Sequence, residues 1–227
     1  MPTCLITGAN RGLGLEFVRQ YAADGWKVVA TCRRPDDAEA LRGLDGDITI
    51  HPLDITDFAQ VEALAKTLAT LPIDHLVNNG GIYGPRVVPY DHIDYAAWAN
   101  VFRVDTMAPM KVSAAFLPNV TKGQHKKIIT VTSKMGSMAD NTSGGSYIYR
   151  SAKAALNAAM RSLALDVADR DITVVVLHPG WVRTDMSGPG ALIDAFESVA
   201  GMRQVVSNLR FEDSGKFFNY DGAEVPW

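Results

Sequence analysis

The sequence has little cysteine, no long apolar run and no excess of basic charge, and each absence excludes a class of protein. Its 227 residues include two cysteines, Cys4 and Cys32, so a disulfide-stabilised scaffold is not expected. Both lie in predicted buried strands and are interpreted as small core side chains. Unbroken apolar runs such as residues 174–177 are far shorter than a membrane span. The formal net charge is −3 without a basic segment, which gives no support to nucleic-acid binding.

Metal-ligand spacing and a leader sequence are also missing. The five histidines are scattered, and we predict no metal site. The chain enters a predicted strand at once, without a charged-then-apolar leader, so we expect a cytoplasmic protein that does not associate with membranes. With 47% apolar and 21% charged residues, the composition suits one compact domain over residues 1–227.

The first fourteen residues contain a strand, a glycine-rich turn and the start of a helix. Residues 2–7 are mostly apolar, Gly8-Ala9-Asn10-Arg11-Gly12-Leu13-Gly14 follows, and residues 15–23 have helical spacing. The unpaired N–H groups and positive dipole end of a first helical turn favour a bound anion. Glycines permit the tight turn and a close approach of the backbone to a pyrophosphate. This stretch predicts a dinucleotide-phosphate site.

Predicted strands and helices alternate along the rest of the chain. A single doubly wound α/β domain of the Rossmann type is therefore expected, with a central parallel sheet of about seven strands. Pro109 is expected to kink one long helix and Pro118 to stop it, while Trp98, Val101, Phe102, Val104 and Met107 are placed on its inner face. The strands after the first are predicted at 26–32, 47–53, 73–77, 127–133, 171–177 and within 215–222, and the later helices at 58–70, 90–117, 147–168 and 191–208.

The end of the second predicted strand is expected to face the adenosine ribose of a dinucleotide. An acid there would favour NAD, but the sequence reads Cys32-Arg33-Arg34, and Arg11 is available in the glycine turn. Guanidinium groups suit a 2′-phosphate. We therefore predict that NADP(H) is preferred over NAD(H); the alternative is that Arg33 and Arg34 are solvated loop charges.

Two further strand ends carry polar residues with more than one interpretation. Asp54 can accept a bond from an adenine amine or form a turn, while Asp57, or Thr56 before it, can cap the next helix. The segment Asn78-Asn79-Gly80-Gly81 can line a ligand crevice or form a plain turn.

Tyr149 and Lys153 lie four residues apart on a predicted helix, so their side chains share a face. A phenol has a pKa of about 10 and is a poor acid or base near neutrality. A nearby ammonium and an oxidised nicotinamide both favour the phenolate, which can make Tyr149 a general acid–base. Ser133, at the tip of a strand on the same rim, can hold a carbonyl or alkoxide oxygen. Such a Tyr–Lys pair alone is usually a surface pair, but together with the glycine turn it indicates catalysis.

These motifs resemble the short-chain dehydrogenase/reductase family in its shorter, single-domain branch. Residues 7–14 match the Thr-Gly-x-x-x-Gly-x-Gly turn, and residues 78–81 resemble the Asn-Asn-Ala-Gly segment with Gly80 in place of Ala. Ser133, Tyr149 and Lys153 fall at the family's catalytic Ser, Tyr and Lys. Pro179-Gly180 and Thr184 match a turn and a Thr that hold the nicotinamide in relatives. Residues 145–147, 178–186 and 220–227 are most similar to C-factor-like and sniffer-type carbonyl reductases.

The resemblance implies hydride transfer between nicotinamide C4 and a carbonyl or alcohol carbon. Ser133 would bind the substrate oxygen, Tyr149 would pass the proton, and Lys153 would bind the nicotinamide ribose while lowering the pKa of Tyr149. The cofactor-binding set would be Gly8, Asn10, Arg11, Gly12, Leu13, Gly14, Arg33, Arg34, Asp54, Ile55, Asn79, Gly80, Gly81, Tyr149, Lys153, Pro179, Gly180, Val182 and Thr184.

One catalytic position departs from the family pattern. The family's fourth catalytic residue, an Asn in the long helix, aligns with Asp105. In relatives the helix kink at that Asn presents a backbone carbonyl to a water that reaches the Lys, and the backbone can serve unchanged here. A carboxylate near Lys153 would favour the protonated amine. We therefore expect Asp105 to shift the pH profile without abolishing activity.

The substrate is expected to lie against three loops, Tyr83–Val88, Met135–Tyr147 and Ser187–Ile193, which suggest an apolar carbonyl compound rather than a sugar. The resemblance and the apolar surface of the helix at 147–168 also predict a homodimer or homotetramer. The alternative is an NADP(H)-binding signalling protein with slow or incidental turnover, since C-factor relatives are linked to developmental signalling. The apolar side chains of the predicted walls are Tyr83, Met135, Met138, Tyr147 and Leu192.

Overall fold

The computed structural model describes residues 1–86, 88–187 and 190–227. Its strands are β1 Thr3–Thr7, β2 Lys27–Cys32, β3 Ile48–Pro52, β4 His75–Asn78, β5 Lys127–Val131, β6 Thr173–His178 and β7 Phe217–Asn219. Within the described residues they form one seven-stranded parallel sheet in the order β3-β2-β1-β4-β5-β6-β7. The predicted doubly wound α/β fold is confirmed. The α-helices are α1 Gly12–Ala23, α2 Glu39–Arg42, α3 Phe58–Thr67, α4 Tyr95–Phe102, α5 Ala108–Lys122, α6 Tyr147–Asp166 and α7 Ala195–Asn208.

The central strands are apolar because helices cover both faces of the sheet. Successive strand residues point to opposite faces. Leu5 and Ile128 pack with residues of α3, α5 and α6 on one face, while Ile6 and Ile129 pack with residues of α1 and α7 on the other. Such two-sided burial is typical of central parallel strands.

The strand order reverses at β1, which pairs with β2 on one side and with β4 on the other. In open sheets of this kind, ligands bind outside the carboxyl ends of the strands at the point of reversal. The chain leaves β1 at Gly8 and leaves β4 at Asn79. The sheet therefore brings the glycine-rich turn and the Asn-Gly segment, both predicted cofactor contacts, to one edge.

The helix predicted for residues 90–117 contains a widened turn. It starts as α4 after Asp94, whose side chain accepts bonds from the first-turn N–H groups, both at 2.9 Å. At Arg103–Met107 it widens into a π-turn, in which the N–H of Ala108 donates to the carbonyl of Arg103. Pro109 follows and has no N–H for the α-helical bond to the residue-105 carbonyl. The predicted irregularity near Pro109 is this π-turn.

Pro118 does not stop the helix, so that prediction is wrong. The residue four positions earlier is Ala114, and both residues lie on the exposed face of α5. Water can therefore bond to the carbonyl that loses its N–H partner. Phe116 and Val120 on the inner face are fully buried, which favours continuation of the helix to Lys122.

Other differences concern side-chain placement and element bounds. Met107 is 55% exposed, so its placement on the inner face of the long helix is wrong; the π-turn rotates it outward. The helix predicted from residue 191 begins at Ala195, where Asp194 caps it. Cys4 and Cys32 are buried, as predicted. Among the described residues, no helix is long and apolar enough to cross a bilayer.

Candidate active site

The glycine-rich turn joins β1 to α1 in a conformation that depends on glycine. Gly8 has φ +65° and Gly12 has φ +53°, a left-handed region that side chains disfavour. A Cβ on Gly14 would lie 2.1 Å from the carbonyl oxygen of Gly8, so only glycine fits there. The N–H of Ala9 donates to the carbonyl of Thr31, 2.9 Å away, which ties the turn to the end of β2.

The start of α1 suits an anion from outside the helix. The residue at its N-cap is Arg11, which makes no side-chain capping bond. A guanidinium group has no acceptor, so it cannot take a bond from the first-turn N–H groups. The first-turn N–H groups and the helix dipole favour an anion at this end of α1, and Asn10 and Gly12 are exposed there. The turn therefore fits a dinucleotide phosphate.

The segment after β4 is held against this turn. The Oγ1 of Thr7 accepts bonds from the N–H groups of Asn79 and Gly80, at 3.0 and 3.2 Å. The side-chain amide of Asn79 donates to the carbonyls of Thr7 and Gly8, at 3.0 and 3.2 Å. The amide of Asn79 therefore fixes the position of the glycine turn.

The predicted ribose end of the site lies after β2 and β3. Arg33 and Arg34 are exposed, and Arg34 pairs with Asp37 at 3.0 Å. The Oδ1 of Asp54 accepts bonds from the N–H and hydroxyl of Thr56, at 2.9 and 2.7 Å.

These bonds show what the acids near β3 contact within the chain, and the bond from an adenine amine to Asp54 stays a prediction. Asp54 forms a turn with Thr56, while Asp57 caps α3 through its Oδ1. Next to the turn, Ile55 lies close to the Asn-Gly segment, since a Cβ on Gly80 would be 3.1 Å from its Cδ1.

Ser133, Tyr149 and Lys153 come together at the carboxyl edge of the sheet. Ser133 lies two residues past β5, and its Oγ accepts a bond from the N–H of Met135 at 3.2 Å. Tyr149 and Lys153 lie on the first two turns of α6, with the ammonium 5.6 Å from the centre of the phenol ring. All three side chains are buried.

Asp105 completes this group from the π-turn. Its carboxylate is fully buried, and Oδ2 lies 3.1 Å from the Nζ of Lys153, which is itself 7% exposed. Oδ1 accepts a bond from the N–H of Ile82 at 2.8 Å. A Cβ on Gly81 would lie 3.4 to 3.5 Å from both carboxylate oxygens and from the ammonium, so this pair borders the segment after β4.

Because Tyr149, Lys153 and Asp105 are buried, water screens the interactions between them only weakly. Burial raises the pKa of Tyr149; Lys153 lowers it and Asp105 raises it, and the result lies above the ordinary value. Burial alone would lower the pKa of Lys153, but the Asp105 carboxylate and Tyr149 together outweigh burial and the pKa is raised. Lys153 thus acts on Tyr149 in the predicted direction without bringing its pKa below the usual range.

Tyr83 covers the phenol of Tyr149. The two rings stack with centroids 4.3 Å apart at an angle of 21°. The Tyr83 hydroxyl lies 3.3 Å from the Oγ of Ser146 and 3.8 Å from the sulfur of Met135, and Arg86 lies over the Tyr83 ring. The sequence predicted Tyr83 only as a pocket wall, and no spacing rule could have predicted its contact with Tyr149.

The loop after β6 reaches back to the glycine turn. Gly180 has φ +82°, and the carbonyl of Pro179 accepts a bond from the Ser198 hydroxyl at 2.5 Å. A Cβ on Gly12 would lie 3.6 Å from the Cγ2 of Thr184. Beside this contact Arg11 pairs with Asp185 at 3.0 Å on the surface.

Val182 is buried in the same loop. Of the predicted residues after β6, Thr184 is thus brought to the glycine turn. Of the predicted substrate walls, Val87, Gly188 and Pro189 lie outside the described residues, while Met138 and Leu192 are exposed.

Comparisons with known proteins agree with this arrangement. The model of the short chain dehydrogenase family matches residues 2–191. C-signal of Myxococcus xanthus is 46% identical over 167 residues, covering 74% of this chain and all of the relative. Two solved structures match the whole chain: the carbonyl reductase Sniffer of D. melanogaster (TM-score 0.94, 32% identity, all of that chain) and the NADPH-bound carbonyl reductase from chicken fatty liver (TM-score 0.90, 35% identity, 99% of that chain). This chain belongs to the short-chain dehydrogenase/reductase family and is a nicotinamide-dependent oxidoreductase.

Proposed function

We propose that the chain is an NADP(H)-dependent reductase of small, apolar carbonyl compounds, and that Ser133, Tyr149 and Lys153 carry the chemistry. The observation that carries this proposal is the grouping of these buried side chains at the sheet edge that also holds the glycine turn. The fit of that turn to a dinucleotide phosphate supports it independently.

In this proposal each catalytic side chain has a separate role in the reduction of the carbonyl group. The glycine turn and Lys153 would hold a nicotinamide cofactor, which in its reduced form would supply the hydride to the carbonyl carbon. The Ser133 hydroxyl holds the carbonyl oxygen, which receives the electron pair of the C=O π bond. Tyr149 donates its phenolic proton to that oxygen, which completes the alcohol, and regains a proton from solvent by way of Lys153.

The preference for NADP(H) over NAD(H) rests on charge at the ribose end. Arg33 and Arg34 follow β2, and no acid occupies the strand end. NADP-bound neighbours such as the chicken carbonyl reductase support the same choice.

The predicted substrate walls near Tyr83 and Met135 support an apolar substrate. A cytoplasmic location and assembly as a homodimer or homotetramer remain predictions; the 64% exposed Leu165 on α6 supports the latter.

The test is a spectrophotometric screen of ketones, aldehydes and quinones with NADPH and with NADH, comparing the native protein with Tyr149→Phe. Loss of the proton donor should lower kcat about 10²- to 10⁴-fold with unchanged NADPH binding. Tyr95→Phe removes an exposed phenol elsewhere and should leave kcat unchanged. Full activity of Tyr149→Phe would contradict the proposed role.

The similarity to C-signal favours a second candidate, a signalling protein that binds NADP(H) as a ligand and turns over substrate incidentally. Tyr149→Phe also separates the two functions. If the biological output of the protein persists in this variant while reduction is lost, the signalling function is favoured; if both are lost, the enzyme activity accounts for the output.

A further inference from the structure

Asp105 places a carboxylate inside the proposed catalytic group. It is fully buried, lies 3.1 Å from the ammonium of Lys153 and is fixed from its other side by the N–H of Ile82. The opposite charges of a buried ion pair partly cancel each other's effect on a neighbouring group. The neighbour here is Tyr149, whose ring centre lies 5.6 Å from the same ammonium.

We propose that Asp105 offsets the charge of Lys153 beside Tyr149, keeps the phenol protonated, and so extends carbonyl reduction to higher pH than a neutral residue at this position would allow. The inference rests on the proposed function of Tyr149 as the proton donor. Reduction needs the phenol, which gives its proton to the carbonyl oxygen. Oxidation needs the phenolate, which takes the proton from the alcohol hydroxyl.

The other groups that face Tyr149 do not restore a net positive charge. From the segment after β4, the neutral Tyr83 ring stacks on it, and Arg86 lies beyond that ring, 5.3 Å from its centre. From the segment after β5, Ser133 is neutral and Lys134 is already paired with Asp140 at 3.1 Å.

The remaining neighbours lie on α6 and β6. The guanidinium of Arg150 on α6 donates to the carbonyl of Met135 and the hydroxyl of Ser143, and Arg150 is not among the groups that shift the pKa of Tyr149. At the end of β6, burial lowers the pKa of His178 to about 4, so this imidazole is neutral at pH 7. Lys153 and Asp105 are therefore the charged pair that sets the environment of the phenol.

Titration of Tyr149 tests the proposal without turnover. The pH dependence of tyrosinate absorbance is measured as the difference between each protein and the same protein carrying Tyr149→Phe. With Asp105→Asn, which keeps the size of the side chain, Tyr149 should ionise about one pH unit lower than in the native protein. Asp105→Ser should act in the same direction and serves if the Asn variant does not fold. An unchanged or higher ionisation pH in the folded variants overturns the proposal.

The rates in the two directions give the second readout. In Asp105→Asn the acidic limb of the pH–rate profile for alcohol oxidation and the alkaline limb of the profile for carbonyl reduction should both move about one unit down. Asp213→Asn removes the carboxylate of another Lys–Asp pair, at the opposite edge of the sheet, and should move neither limb.

The proposed reductase function and the proposed charge offset by Asp105 can be contradicted separately. A protein that reduces no carbonyl compound, but whose Tyr149 titrates lower in Asp105→Asn, contradicts the proposed function and supports the charge offset. An active reductase with an unshifted Tyr149 overturns the charge offset alone.

Discussion

Three guanidinium groups border the predicted cofactor site, and they differ in what already binds them. Arg11 pairs with Asp185 and Arg34 pairs with Asp37, each at 3.0 Å on the surface. Arg33 makes no ion pair with any of the residues that the structure describes. Against the effect of burial, bonds from Thr56 lower the pKa of nearby Asp54, and the charge of Arg33 adds a smaller lowering. Arg33 is therefore the group most available to a 2′-phosphate.

We predict that Arg33→Ala raises KM for NADPH about 10- to 100-fold, because a charge-assisted bond to the 2′-phosphate is lost. KM for NADH should change little, since NADH has no 2′-phosphate. Steady-state kinetics with both cofactors measures this difference. Arg170→Ala removes an exposed arginine before β6, at the other edge of the sheet, and should affect neither constant. Equal effects on the two cofactors would show that Arg33 does not recognise the phosphate.

The spacing of residues in the sequence predicted the Tyr149–Lys153 pair but not the contacts that Asp105 and Tyr83 make with it. Tyr149 and Lys153 share a helix face, which follows from a four-residue separation. The position of Asp105 beside Lys153 could be expected only from the resemblance to a family, since it joins two helices. The stacking of Tyr83 on Tyr149 joins a loop to a helix far away in the sequence. Local periodicity contains no information about such a contact.

Among the elements, the loop of residues 134–146 connects Ser133 to α6. The last residue of the sequence, Trp227, holds this loop in place. The main-chain oxygen of Trp227 accepts bonds from the N–H groups of Met138 and Ala139, at 2.7 and 3.2 Å, and from the Ser137 hydroxyl at 3.2 Å. The Trp227 ring lies 5.6 Å from the ring of buried Phe217. This contact fixes one of the predicted substrate walls.

We predict that Trp227→Gly loosens this loop, because the ring contact that positions the accepting oxygen is lost. An aromatic pair of this kind contributes about 0.5–1.5 kcal/mol, so KM for the carbonyl substrate should rise about 2- to 10-fold, with a smaller change in KM for NADPH. Trypsin should cut faster after Lys134, the basic residue that begins the loop. Phe211→Ala, which removes another partly exposed ring, should change neither measurement. Unaltered proteolysis at Lys134 would mean that Trp227 does not restrain the loop.

The elements also differ in how well the sequence predicted them. Central strands such as β6 were found because an apolar run bounded by turns has few other interpretations in an alternating chain. Pro118 was wrongly taken as a helix end, because the rule for proline does not consider whether the freed carbonyl faces water. The π-turn at Arg103–Met107 depends on Pro109 and on packing against α6, where the Thr106 hydroxyl donates to the carbonyl of Ala152. That packing exists only in the assembled fold.

At the scale of the whole molecule, one buried histidine lies at the amino edge of the sheet and another lies at its carboxyl edge. His75 begins β4 and its Nδ1 lies 2.8 Å from the Tyr21 hydroxyl, among the rings of Trp26 and His125. His178 ends β6. Burial lowers the pKa of His75 from 6.5 to about 3 and that of His178 from 6.5 to about 4. The folded chain therefore keeps both imidazoles neutral at a pH where the unfolded chain protonates them.

We predict that the free energy of unfolding falls as the pH drops below about 6.5. Because the unfolded state binds the extra protons, each histidine should contribute a loss of about 1.4 kcal/mol per pH unit down toward its folded pKa. Asp54 and Asp74, whose pKa values lie below their ordinary 3.8, lose their contribution only in stronger acid and do not affect this range. Urea unfolding between about pH 6.5 and about pH 5 measures the slope.

The variant His75→Gln should halve that slope, since one of the two neutral imidazoles is removed while a polar partner for Tyr21 is kept. His92→Gln, at an exposed position, should leave the slope as it is. Because the histidine near each edge contributes separately, the double variant of His75 and His178 should be nearly insensitive to pH in this range. A native slope near zero would show that both imidazoles gain protons without unfolding, and that the sheet edges admit water more freely than their burial indicates.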